Sequence, residues 1–571
     1  MGEKPGERQV TRSRRTTSGD PWSCLHVIQK LEVGPVRIES KRLVVPYRIV
    51  QDGRVDRMDL VYRYEEAVYD PADPGAEDLA RMQAVHIAFN YGLFCDEIVF
   101  HGDYDEHDRR FIEQMIENTS REIAVKKFLE PNPFLRGPAA ALRTTALDVP
   151  HPERWTHARL RFVPGTALDA ALQPVLESAS GRVDGSAPEP VIDVARGLAP
   201  EERGGPATGA ARHSWSTDPT RYAVLSSGGK DSLLSFGLLR EAGLEVHPIF
   251  VNESGNHWLT ALNAYRHLAA HHPGTARVWT NSDRLFAWFK RHMPFIRPDF
   301  LEVRADDYPI RLWTVAVFLF GALPLLRARS IGRLVIGDEF DTTRRGSHQG
   351  IPHYDGLYDQ SRYFDRALTR YFQRKGWGVQ QFSMLRPLSE FLIQKSLAVR
   401  YPDLLVHQVS CHAAHTESDG RVHPCGRCEK CRRIVGMLVA LDVDPALCGY
   451  SSQQVRACLQ ALATSGVHQE AECAAHVGYL LARKGMLAVP PGEGPVRSGG
   501  VAIREHPEVM KLRFDRERAP LEDIPEDLRE ALLRIFLQHA DGAVQRVGRA
   551  WVELGGPQAI ALSAHPVVVG F

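Results

Sequence analysis

The sequence has no net charge, because 70 lysine and arginine residues balance 70 aspartate and glutamate residues. A protein that holds nucleic acid without sequence preference needs an excess of positive charge, so nucleic acid is not an expected partner. Long apolar runs are also missing. The longest uncharged run that resembles a membrane segment, Leu312 to Leu326, has 15 residues and contains Pro324. A spanning helix needs about 20 apolar residues, so we expect a buried helix there and no membrane partner.

The start of the chain has no apolar segment, because Met1 to Asp20 are polar and basic. Such a segment does not resemble a secretory signal, and we therefore expect a cytoplasmic protein. In that reducing compartment the nine cysteines stay reduced or bind metal. With 571 residues and 43% hydrophobic content, the chain can form more than one core.

Changes in composition and pattern predict six regions along the chain. The stretch 178–217 is rich in glycine, proline, alanine and charge, and it has too little apolar surface to offset the entropy of ordering. We interpret it as a linker; a long surface loop is the alternative. The regions are, in order, a disordered tail (1–21), an α+β N-terminal domain (22–177), the linker (178–217), an α/β domain (218–408), a cysteine knuckle (409–450) and a mostly helical C-terminal accessory region (451–571).

In the N-terminal region, two alternating apolar runs flank the turn residues Gln51-Asp52-Gly53-Arg54. This pattern predicts a β-hairpin. Helical stretches follow at 76–92 and 108–128, with a short strand at 97–100 between them. The order of these elements predicts an α+β domain.

From residue 222 onward, apolar strands alternate with helices, and the predicted strands are 222–225, 246–252, 277–280 and 334–337. This alternation predicts an α/β fold, a doubly wound parallel sheet covered by helices on both faces. Ligands bind such sheets at the carboxyl ends of the strands. Three polar clusters follow predicted strand ends: Ser227–Ser232, Asn252-Glu253-Ser254, and Asp338-Glu339 with Asp341.

The run Ser227-Gly228-Gly229-Lys230-Asp231-Ser232 stands between an apolar strand and a helix-like segment. Unpaired amides and the positive helix end converge on such a turn, which makes a phosphate cradle. The spacing differs from the G-x-x-x-x-G-K-[ST] loop of kinases and GTPases, because the glycines are adjacent and an aspartate follows the lysine. The alternative is a serine- and glycine-rich helix start in which Asp231 and Ser232 serve only as caps.

Four cysteines have the spacing C-x13-C-x2-C-x2-C: Cys411, Cys425, Cys428 and Cys431. Four thiolates at this spacing match a tetrahedral zinc site, and so tight a knuckle has few other uses in a reducing compartment. An iron–sulfur cluster also accepts four cysteines and stays open at this point. Three nearby histidines are interpreted as solvated loop residues and not as ligands: His412, His415 and His423.

The loop resembles the PP-loop of the ATP pyrophosphatase superfamily, whose members hold the β,γ-pyrophosphate of ATP and transfer AMP to a substrate. Together with the cysteine cluster, the chain resembles the 7-cyano-7-deazaguanine synthases. It resembles more closely the ATP-dependent UDP-N-acetylmuramoyl-L-alanyl-L-glutamate epimerase family. In that family a Gly-Gly-Lys-Asp-Ser loop, a Phe-Ser-Leu-Leu-Arg-Pro-Leu-Ser-Glu-like segment and a Ser-Cys…Cys-Gly-x-Cys-x-Lys-Cys-Arg cluster occur in this order. Here the three are Gly228–Ser232, Phe382–Glu390 and Ser410–Arg432.

The resemblance covers about two thirds of the chain and extends weakly into the N-terminal domain, over about Met82 to Phe128. The deazaguanine synthases lack such a domain. Two departures bear on the substrate. The family's Asn-Glu-Arg-Ser-like strand end is here Gly337-Asp338-Glu339-Phe340-Asp341, and the segment after Cys448 has no counterpart. The resemblance therefore implies shared ATP chemistry and leaves the substrate open.

The resemblance implies an enzyme that binds ATP with Mg²⁺, adenylates a substrate carboxylate, and releases AMP and pyrophosphate. The expected reaction is epimerisation of an amino-acid residue in a peptide or cell-wall-precursor-like substrate, with a structural Zn²⁺ in the knuckle. Asp231 or the Asp338-Glu339 pair is expected to help bind Mg²⁺. The implied nucleotide-binding residues are Ser227, Gly228, Gly229, Lys230, Asp231, Ser232, Asp338, Glu339 and Arg386.

Candidate catalytic residues lie in polar loops expected at the ligand edge of the sheet. Lys230 and Asp231 are expected to act on the phosphates. Residues that are candidates for acid–base roles share a place in these loops: Glu253, Asp341, His348 and His353. For each of them, an ordinary surface loop position is the alternative.

Two further pairs of residues have alternative interpretations. Arg344 and Arg345 are candidates for binding an acidic substrate, and a solvated charge pair is the alternative. Arg386 and Glu390 are spaced i,i+4, which suits either a position near ATP or an ion pair on a helix surface.

Three other functions stay open at this point. A ligase or nitrile-forming deazapurine enzyme would need ammonia or an amine. An RNA-modifying enzyme would adenylate a base, although the balanced charge argues against it. A non-catalytic scaffold has no need of a lysine and an aspartate beside two glycines. The sequence leaves both a monomer and a homodimer open.

Overall fold

The computed structural model describes residues 20–146, 151–164, 214–253, 255–302, 309–354, 356–411, 413–465, 467, 469–487, 497–498 and 501–555. Within these residues the protein is a mixed α/β structure with a large, mostly parallel sheet and fourteen α-helices. The predicted tail and linker lie almost wholly outside the described residues, as do Ser254 and His412.

In this part of the chain, eleven strands form the central sheet and nine form four small sheets. The strands are β1 (Ile28–Val33), β2 (Arg37–Glu39), β3 (Arg42–Gln51), β4 (Arg54–Tyr64), β5 (Cys95–His101), β6 (Arg159–Val163), β7 (Asp218–Ser226), β8 (Glu245–Asn252), β9 (Ala276–Thr280), β10 (Ile331–Val335), β11 (Arg345–His348), β12 (Ile351–Tyr354), β13 (Gln380–Phe382), β14 (His415–Thr416), β15 (Val422–His423), β16 (Arg497–Ser498), β17 (Val501–Ala502), β18 (Leu512–Phe514), β19 (Ala543–Val547) and β20 (Ala550–Leu554).

The helices are α1 (Pro74–Val85), α2 (Glu106–Ile123), α3 (Pro138–Thr145), α4 (Lys230–Glu241), α5 (Asn256–His271), α6 (Ser282–Arg291), α7 (Val315–Ala328), α8 (Arg362–Arg374), α9 (Glu390–Arg400), α10 (Pro402–Leu405), α11 (Glu429–Ala440), α12 (Ser452–Ser465), α13 (Ala471–Arg483) and α14 (Glu526–Phe536). A short 3-10 helix, Phe340–Thr343, follows β10.

The central sheet has the order β13-β10-β7-β8-β9-β4-β3-β1-β5-β6, and β2 pairs with β3. The strands from β13 to β9 run parallel to one another. β9 pairs antiparallel with β4, and this register places Tyr62 opposite Thr280 and Tyr64 opposite Val278. One sheet therefore continues from the predicted N-terminal domain into the predicted α/β domain.

The hairpin predicted around Gln51-Asp52-Gly53-Arg54 is present as β3 and β4, with Gln51 paired to Arg54. Asp52 and Gly53 have φ angles of 51° and 72°. Two consecutive residues with positive φ give the tight turn that matches the twist of the flanking strands.

The strand order reverses between β7 and β10. From β7 the chain continues to β8 and β9 on one side, and it returns to add β10 and β13 on the other side. At such a switch point the loops at the carboxyl ends diverge and leave a crevice for a ligand. The loops that border this crevice are 227–229 after β7 and the segment from Ile336 after β10. The topology therefore brings together two of the three predicted polar clusters.

Each face of the parallel strands packs on its own apolar core. Successive residues of β7 alternate between the cores, with Ala223 in one and Tyr222 and Val224 in the other. This alternation follows from the two-residue period of a strand. Helix α7 contributes to the first core and α4 to the second, so the parallel strands are covered on both faces, as predicted.

The apolar segment predicted as a buried helix forms α7, which begins at Val315 and lies inside the first core. Asp359 accepts hydrogen bonds from the backbone N–H groups of Thr314, Val315 and Ala316, at 2.9, 2.8 and 3.2 Å. This cap fixes the start of the helix. Nowhere in the described ranges does a helix combine the length and apolar character needed to cross a membrane.

The accessory region is less helical than predicted. Besides α12, α13 and α14 it contains a three-stranded sheet in which β19 pairs with β18 and β20. Residues such as Val509, Leu512 and Leu532 extend the second core. The N–H of Arg513 donates to the carbonyl oxygen of Pro387 at 2.9 Å, so this region packs against the segment that precedes α9.

Candidate functional site

The loop after β7 depends on glycine. Gly228 has a φ of 73°, and a Cβ at this position would lie 2.8 Å from both the Cα of Ala261 and the carbonyl oxygen of Thr260. Only glycine fits so close to the backbone of α5. Gly229 is the N-cap of α4, and among the described residues no side chain caps this helix. The first N–H groups of α4 are therefore available to an anion.

Lys230, the first residue of α4, is buried with only 4% of its surface exposed. Its Nζ donates to Asp231 Oδ1 at 2.7 Å and to Glu339 Oε2 at 3.0 Å, and it lies 3.3 Å from Glu390 Oε1. Burial alone would lower the pKa of this lysine, but the three carboxylates raise the pKa of Lys230 well above its usual value. The ammonium therefore stays charged in the crevice.

The segment after β10 lies directly against the start of α4. A Cβ on Gly337 would lie 2.6 Å from the Cβ of Asp231 and 2.9 Å from its carbonyl carbon, so the absence of a side chain permits this contact. The next two residues are Asp338, which is buried, and Glu339, whose side chain is 16% exposed. The fold thus places two further carboxyl groups beside the loop.

Burial governs the acidity of these two carboxyl groups. It raises the pKa of Glu339 well above its usual value, although Lys230 acts in the opposite direction. It raises the pKa of Asp338 in the same way, against the effect of Arg386. Carboxyl groups in this situation favour the binding of a cation, because a cation stabilises their ionised forms.

Arg386 is buried beneath the segment that carries these carboxyl groups. Its Nη1 donates to Thr342 Oγ1 at 3.0 Å and to Thr343 Oγ1 at 3.1 Å. Its Nη2 lies 3.4 Å from Asp338 Oδ2 and also binds Asp365. Arg386 therefore holds the segment in place from below, and its described contacts are with the protein.

Glu390 begins α9 and lies opposite Lys230. Its Oε1 is 3.3 Å from Arg433 Nε, and its Oε2 accepts a hydrogen bond from Gln469 Nε2 at 2.8 Å. The alternative ion pair between Arg386 and Glu390 is not among the contacts of the described residues. The two residues of this i,i+4 pair instead have separate sets of partners.

Asp341 lies in the short 3-10 helix after Glu339 and is half-buried. Burial raises the pKa of Asp341 to about 6, and the carboxylates of Glu470 and Glu390 act in the same direction, while Arg518 and Lys230 oppose them. A carboxyl group with this pKa changes its protonation state close to neutral pH. It is therefore suited to take up and return a proton.

The accessory region contributes residues that sequence reasoning missed. Arg513 forms a buried bidentate ion pair with Glu470, at 2.7 and 2.8 Å. The guanidinium carbons of Arg513 and Arg518 each lie 3.9 Å from the ring centre of Phe340. The ring of Phe340, the residue before Asp341, is thus in contact with two guanidinium groups. No motif in the sequence marks these residues, because only the packing of the accessory region brings them to the crevice.

Glu253, which follows β8, is buried, and its partners differ from those of the carboxyl groups beside Lys230. Both of its carboxylate oxygens accept from Arg311 Nη2 at 2.8 Å, and Oε1 also accepts from Ser282 Oγ at 2.5 Å. Burial raises the pKa of Glu253, but Arg311 and then His257 outweigh this effect, so the pKa is below its usual value. A carboxylate held in this way is a weak base, and its described contacts do not include the loop.

The other predicted polar residues lie on a hairpin beyond Asp341. β11 carries Arg345 and His348, and β12 carries His353, whose Nδ1 lies 3.1 Å from a backbone carbonyl oxygen of the same strand. The guanidinium of Arg345 lies 3.9 Å from the ring centre of Tyr363. Arg344 precedes the hairpin and is exposed. The contacts described for these side chains do not join them to the loop.

The four predicted cysteines converge, with all four Sγ atoms within 4.8 Å of one another. The Sγ atoms of Cys425 and Cys431 are 3.8 Å apart, those of Cys428 and Cys411 3.9 Å, and those of Cys428 and Cys431 3.5 Å. Four thiolates at zinc–sulfur distances of about 2.3 Å in a tetrahedron are separated by about 3.8 Å. The group can therefore hold a metal ion such as zinc.

The backbone shapes this cysteine group. Gly426 has a φ of 65° and allows the tight turn after Cys425. The N–H groups of Ala413 and Cys425 donate to Cys411 Sγ at 3.3 and 3.2 Å. Hydrogen bonds of this kind stabilise a thiolate ligand and fix its orientation.

The knuckle lies beside the loop. A Cβ on Gly229 would lie 3.8 Å from the Oγ atom of Ser410, the residue that precedes the first of the four cysteines. Helix α11 begins directly after Cys428 and carries Arg433, which reaches Glu390. The fold of the knuckle therefore sets the position of a cation in the crevice.

No protein-family model and no curated protein matches this sequence. The functional conclusion therefore depends on the geometry of the site. That geometry combines a glycine loop at a switch point, a buried lysine among three carboxylates, and a four-cysteine group whose helix reaches the same crevice.

Proposed function

We propose that the protein is an ATP-dependent enzyme that transfers AMP to a substrate carboxylate and releases pyrophosphate. The observation that carries this proposal is the position of Lys230, a charged ammonium at the uncapped start of α4. A phosphate chain is bound best where backbone amides and a cation converge. The loop 227–232 supplies the amides and Lys230 supplies the cation.

Adenylation solves a chemical problem for carboxylates, which are poor electrophiles because their charge is delocalised. A carboxylate oxygen attacks the α-phosphorus of ATP, the bond from this phosphorus to the α,β-bridging oxygen breaks, and pyrophosphate leaves with the electron pair. The acyl-adenylate is uncharged at the carboxyl carbon and carries AMP as a leaving group. Lys230 and the loop amides stabilise the charge that develops on the departing pyrophosphate.

Asp231 and Glu339 fit Mg²⁺. Their oxygens both reach Lys230 Nζ, at 2.7 and 3.0 Å, so they converge on one region of the crevice. Carboxylate oxygens are preferred ligands of Mg²⁺, and a cation stabilises the ionised form of the partly buried Glu339. When bound with ATP, Mg²⁺ neutralises phosphate charge. Asp338, held by Arg386, supports the position of Glu339.

We further propose that the activated substrate is epimerised. Adenylation makes the carbon next to the carboxyl group more acidic, so a base can remove its proton and a proton can be returned from the opposite face. Water then attacks the acyl carbon, and AMP leaves with the electron pair of the broken carbon–oxygen bond. We assign removal of the proton to Asp341, whose pKa of about 6 suits a base near neutral pH. Support also comes from Phe382–Glu390, the segment that resembles the epimerase family, because Glu390 lies 3.3 Å from Lys230.

We propose that the four-cysteine group holds a structural Zn²⁺. All four ligands come from the protein, as is typical of structural zinc sites, and none of the four positions is left for a substrate. A four-iron cluster places each thiolate on a different iron atom and needs wider sulfur spacing than this group has. In this role the ion stabilises the knuckle and, through α11, the position of Arg433.

Incubation of the purified protein with α-³²P-labelled ATP, Mg²⁺ and a panel of acidic peptides tests the ATP chemistry. AMP and pyrophosphate are the expected products. ADP as the sole nucleotide product would contradict the proposal, because it requires cleavage between the β- and γ-phosphates.

Turnover in D₂O tests the epimerisation. Deuterium at Cα of an acidic dipeptidyl substrate, with no new bond to nitrogen, is the expected result. An ammonia-dependent product that retains its Cα hydrogen would instead support the ligase or nitrile-forming alternative.

A further inference from the structure

Arg518 lies in a tight turn of the accessory region, 515–519, that directly follows β18. Asp515 stabilises this turn, because its Oδ1 accepts hydrogen bonds from the N–H groups of Glu517 and Arg518, at 2.7 and 3.0 Å. The N–H of Ala519 donates to the carbonyl oxygen of Asp515 at 2.9 Å. The backbone that carries Arg518 is therefore held in one conformation by local hydrogen bonds.

Two contacts place the guanidinium of Arg518 beside the segment that follows β10. Its Nε donates to the carbonyl oxygen of Phe340 at 3.3 Å, and its central carbon lies 3.9 Å from the ring centre of the same residue. Phe340 stands between Glu339 and Asp341 in the chain. Glu339 accepts a hydrogen bond from Lys230 at 3.0 Å, and Asp341 is the proposed base. The guanidinium is therefore adjacent to the residues assigned to the nucleotide and to proton removal.

The described contacts of Arg518 use only one of the five N–H groups that an arginine side chain can donate. Nη2 is buried without a hydrogen-bond partner in the described part of the chain. It lies 3.6 Å from Glu470 Oε1, which is too long for a hydrogen bond. Glu470 instead accepts two hydrogen bonds from Arg513, at 2.7 and 2.8 Å. Among the described residues Nη1 also has no hydrogen-bond partner, and it is not one of the fully buried atoms.

The charges around this guanidinium do not balance it. Its positive neighbours are Arg513 and Arg344. Its negative neighbours are Glu470 and Asp341. Arg513 already balances Glu470, and Asp341 is assigned to take up a proton, which removes its charge. An anion with two oxygens suits such a guanidinium, because its two Nη groups can donate in parallel.

We propose that Arg518 binds a second carboxylate group of the substrate, so that the accessory region selects an acidic residue for epimerisation; this assignment rests on the proposed function. One carboxylate of that residue is adenylated at the loop. The other accepts hydrogen bonds from Nη1 and Nη2 of Arg518, and this contact holds the Cα of the same residue near Asp341. A neutral side chain of the same shape leaves the guanidinium without a counterion and is therefore disfavoured.

Calorimetry with two dipeptides tests this assignment on the full-length, zinc-loaded protein. The titrations contain Mg²⁺ and α,β-methylene-ATP, an analogue that cannot release pyrophosphate. L-Ala-L-Glu and L-Ala-L-Gln share the main-chain carboxylate and have nearly the same shape, but they differ by one negative charge. Wild type is expected to bind L-Ala-L-Glu more tightly by about tenfold or more, the usual effect of a charge-assisted hydrogen bond.

Variants of the turn separate the role of Arg518 from that of positive charge in general. Arg518→Gln is expected to raise Kd for L-Ala-L-Glu by about tenfold or more and to change Kd for L-Ala-L-Gln by less than about threefold. Arg518→Lys should keep part of the preference, because an ammonium retains the charge without the planar fork. Arg516→Gln is the matched control, because Arg516 is exposed in the same turn. It should bind both dipeptides as wild type does.

A second measurement needs no variant. Phenylglyoxal modifies arginine side chains, and mass spectrometry maps the modified positions. L-Ala-L-Glu together with the ATP analogue should protect Arg518 but not Arg516, and L-Ala-L-Gln should protect Arg518 less. Zinc content and the thermal midpoint establish that each variant is folded.

Three results would overturn the assignment: equal affinity of wild type for the two dipeptides, an unchanged preference in folded Arg518→Gln, or modification of Arg518 that L-Ala-L-Glu does not slow. So would a wild-type protein that binds neither dipeptide at millimolar concentration. If L-Ala-L-Glu binds through Arg518 but no AMP forms from ATP, the adenylation proposal fails and the Arg518 assignment stands. If AMP forms equally with both dipeptides and Arg518→Gln changes neither rate, the Arg518 assignment fails and the adenylation proposal stands.

Discussion

Replacing Lys230 by methionine removes the ammonium that contacts Asp231, Glu339 and Glu390. The side chain keeps most of its length and apolar surface, so the change is mainly one of charge. We expect loss of AMP formation by about 10²-fold or more, the effect typical of removing a preorganised charge stabiliser. We also expect a loss of stability that depends on pH.

The stability change can be worked from the surroundings of the three carboxylates. Breaking a buried ion pair usually costs about 3–5 kcal/mol. Glu390 keeps Arg433, and the side chain of Asp231 is 29% exposed, so the cost falls mainly on Glu339. We therefore expect Lys230→Met to lower the free energy of unfolding by about 3 kcal/mol at a pH where Glu339 is ionised.

The sign of the pH dependence follows from the raised pKa of Glu339. The attraction between Lys230 and Glu339 exists only while the carboxyl group is ionised, and it disappears as the pH falls through that pKa. The difference in unfolding free energy between wild type and Lys230→Met should therefore be larger at a pH above the raised pKa of Glu339 than at a pH below it.

A matched control exists in the same chain. Lys375 is also buried and donates to three carboxylates, Asp78 at 3.0 Å, Asp105 at 2.7 Å and Asp108 at 3.0 Å. Lys375→Met should destabilise the protein to a similar extent but leave AMP formation per folded molecule unchanged. Urea unfolding at two pH values and AMP formation from labelled ATP measure both effects. Equal activity losses in Lys230→Met and Lys375→Met, or a pH-independent stability difference for Lys230→Met, would refute the reasoning.

Three further predictions concern the knuckle, the acid–base group and the loop. Elemental analysis should find one zinc per chain in wild type and in Cys458→Ser but none in Cys428→Ser; zinc retained by Cys428→Ser would contradict the ligand assignment. Because the ionised form of Asp341 is disfavoured in the folded protein, wild type loses stability relative to Asp341→Asn as the pH rises from about 4 to 6, by up to about 3 kcal/mol. The same variant should lose solvent deuterium exchange at Cα, and exchange at the wild-type rate would exclude Asp341 as the base. Gly243 serves as a control for the loop, because it has a φ of 72° and open space where a Cβ would lie. Gly243→Ala should lower the free energy of unfolding in urea by about 1 kcal/mol. Gly228→Ala should cost more and abolish ATP binding, because its Cβ meets backbone at 2.8 Å; ATP affinity equal to that of wild type would contradict this.

Local features of the fold were predictable from the sequence because short-range rules determine them. The turn at Asp52-Gly53 needs two residues with positive φ, and that dipeptide indicates it directly. The strand, glycine loop and helix start around Gly228 are likewise contiguous in the chain. Cysteine spacing predicted a convergent group because three of the ligands lie within seven residues of one another.

Other predictions failed or stayed open because distant residues decide them. The spacing of Arg386 and Glu390 allowed an ion pair between them. In the folded protein Arg386 instead contacts Asp338 and Asp365, and Glu390 contacts Lys230. The accessory region was expected to be mostly helical, since its strands are short and β18 joins its sheet by pairing with a segment 31 residues away, as in Leu512 with Ala543.

The glycine loop, the alternation of strands and helices, and the convergence of four cysteines could be predicted because each depends on residues close together in the chain. Which charges meet in the crevice depends on contacts between distant segments. Strand order placed the segment after β10 beside the loop, and packing of α9, α11 and the accessory region brought Glu390, Arg433 and Gln469 to Lys230. Each buried charge needs a partner, and the fold, not the order of residues along the chain, brings the partners together.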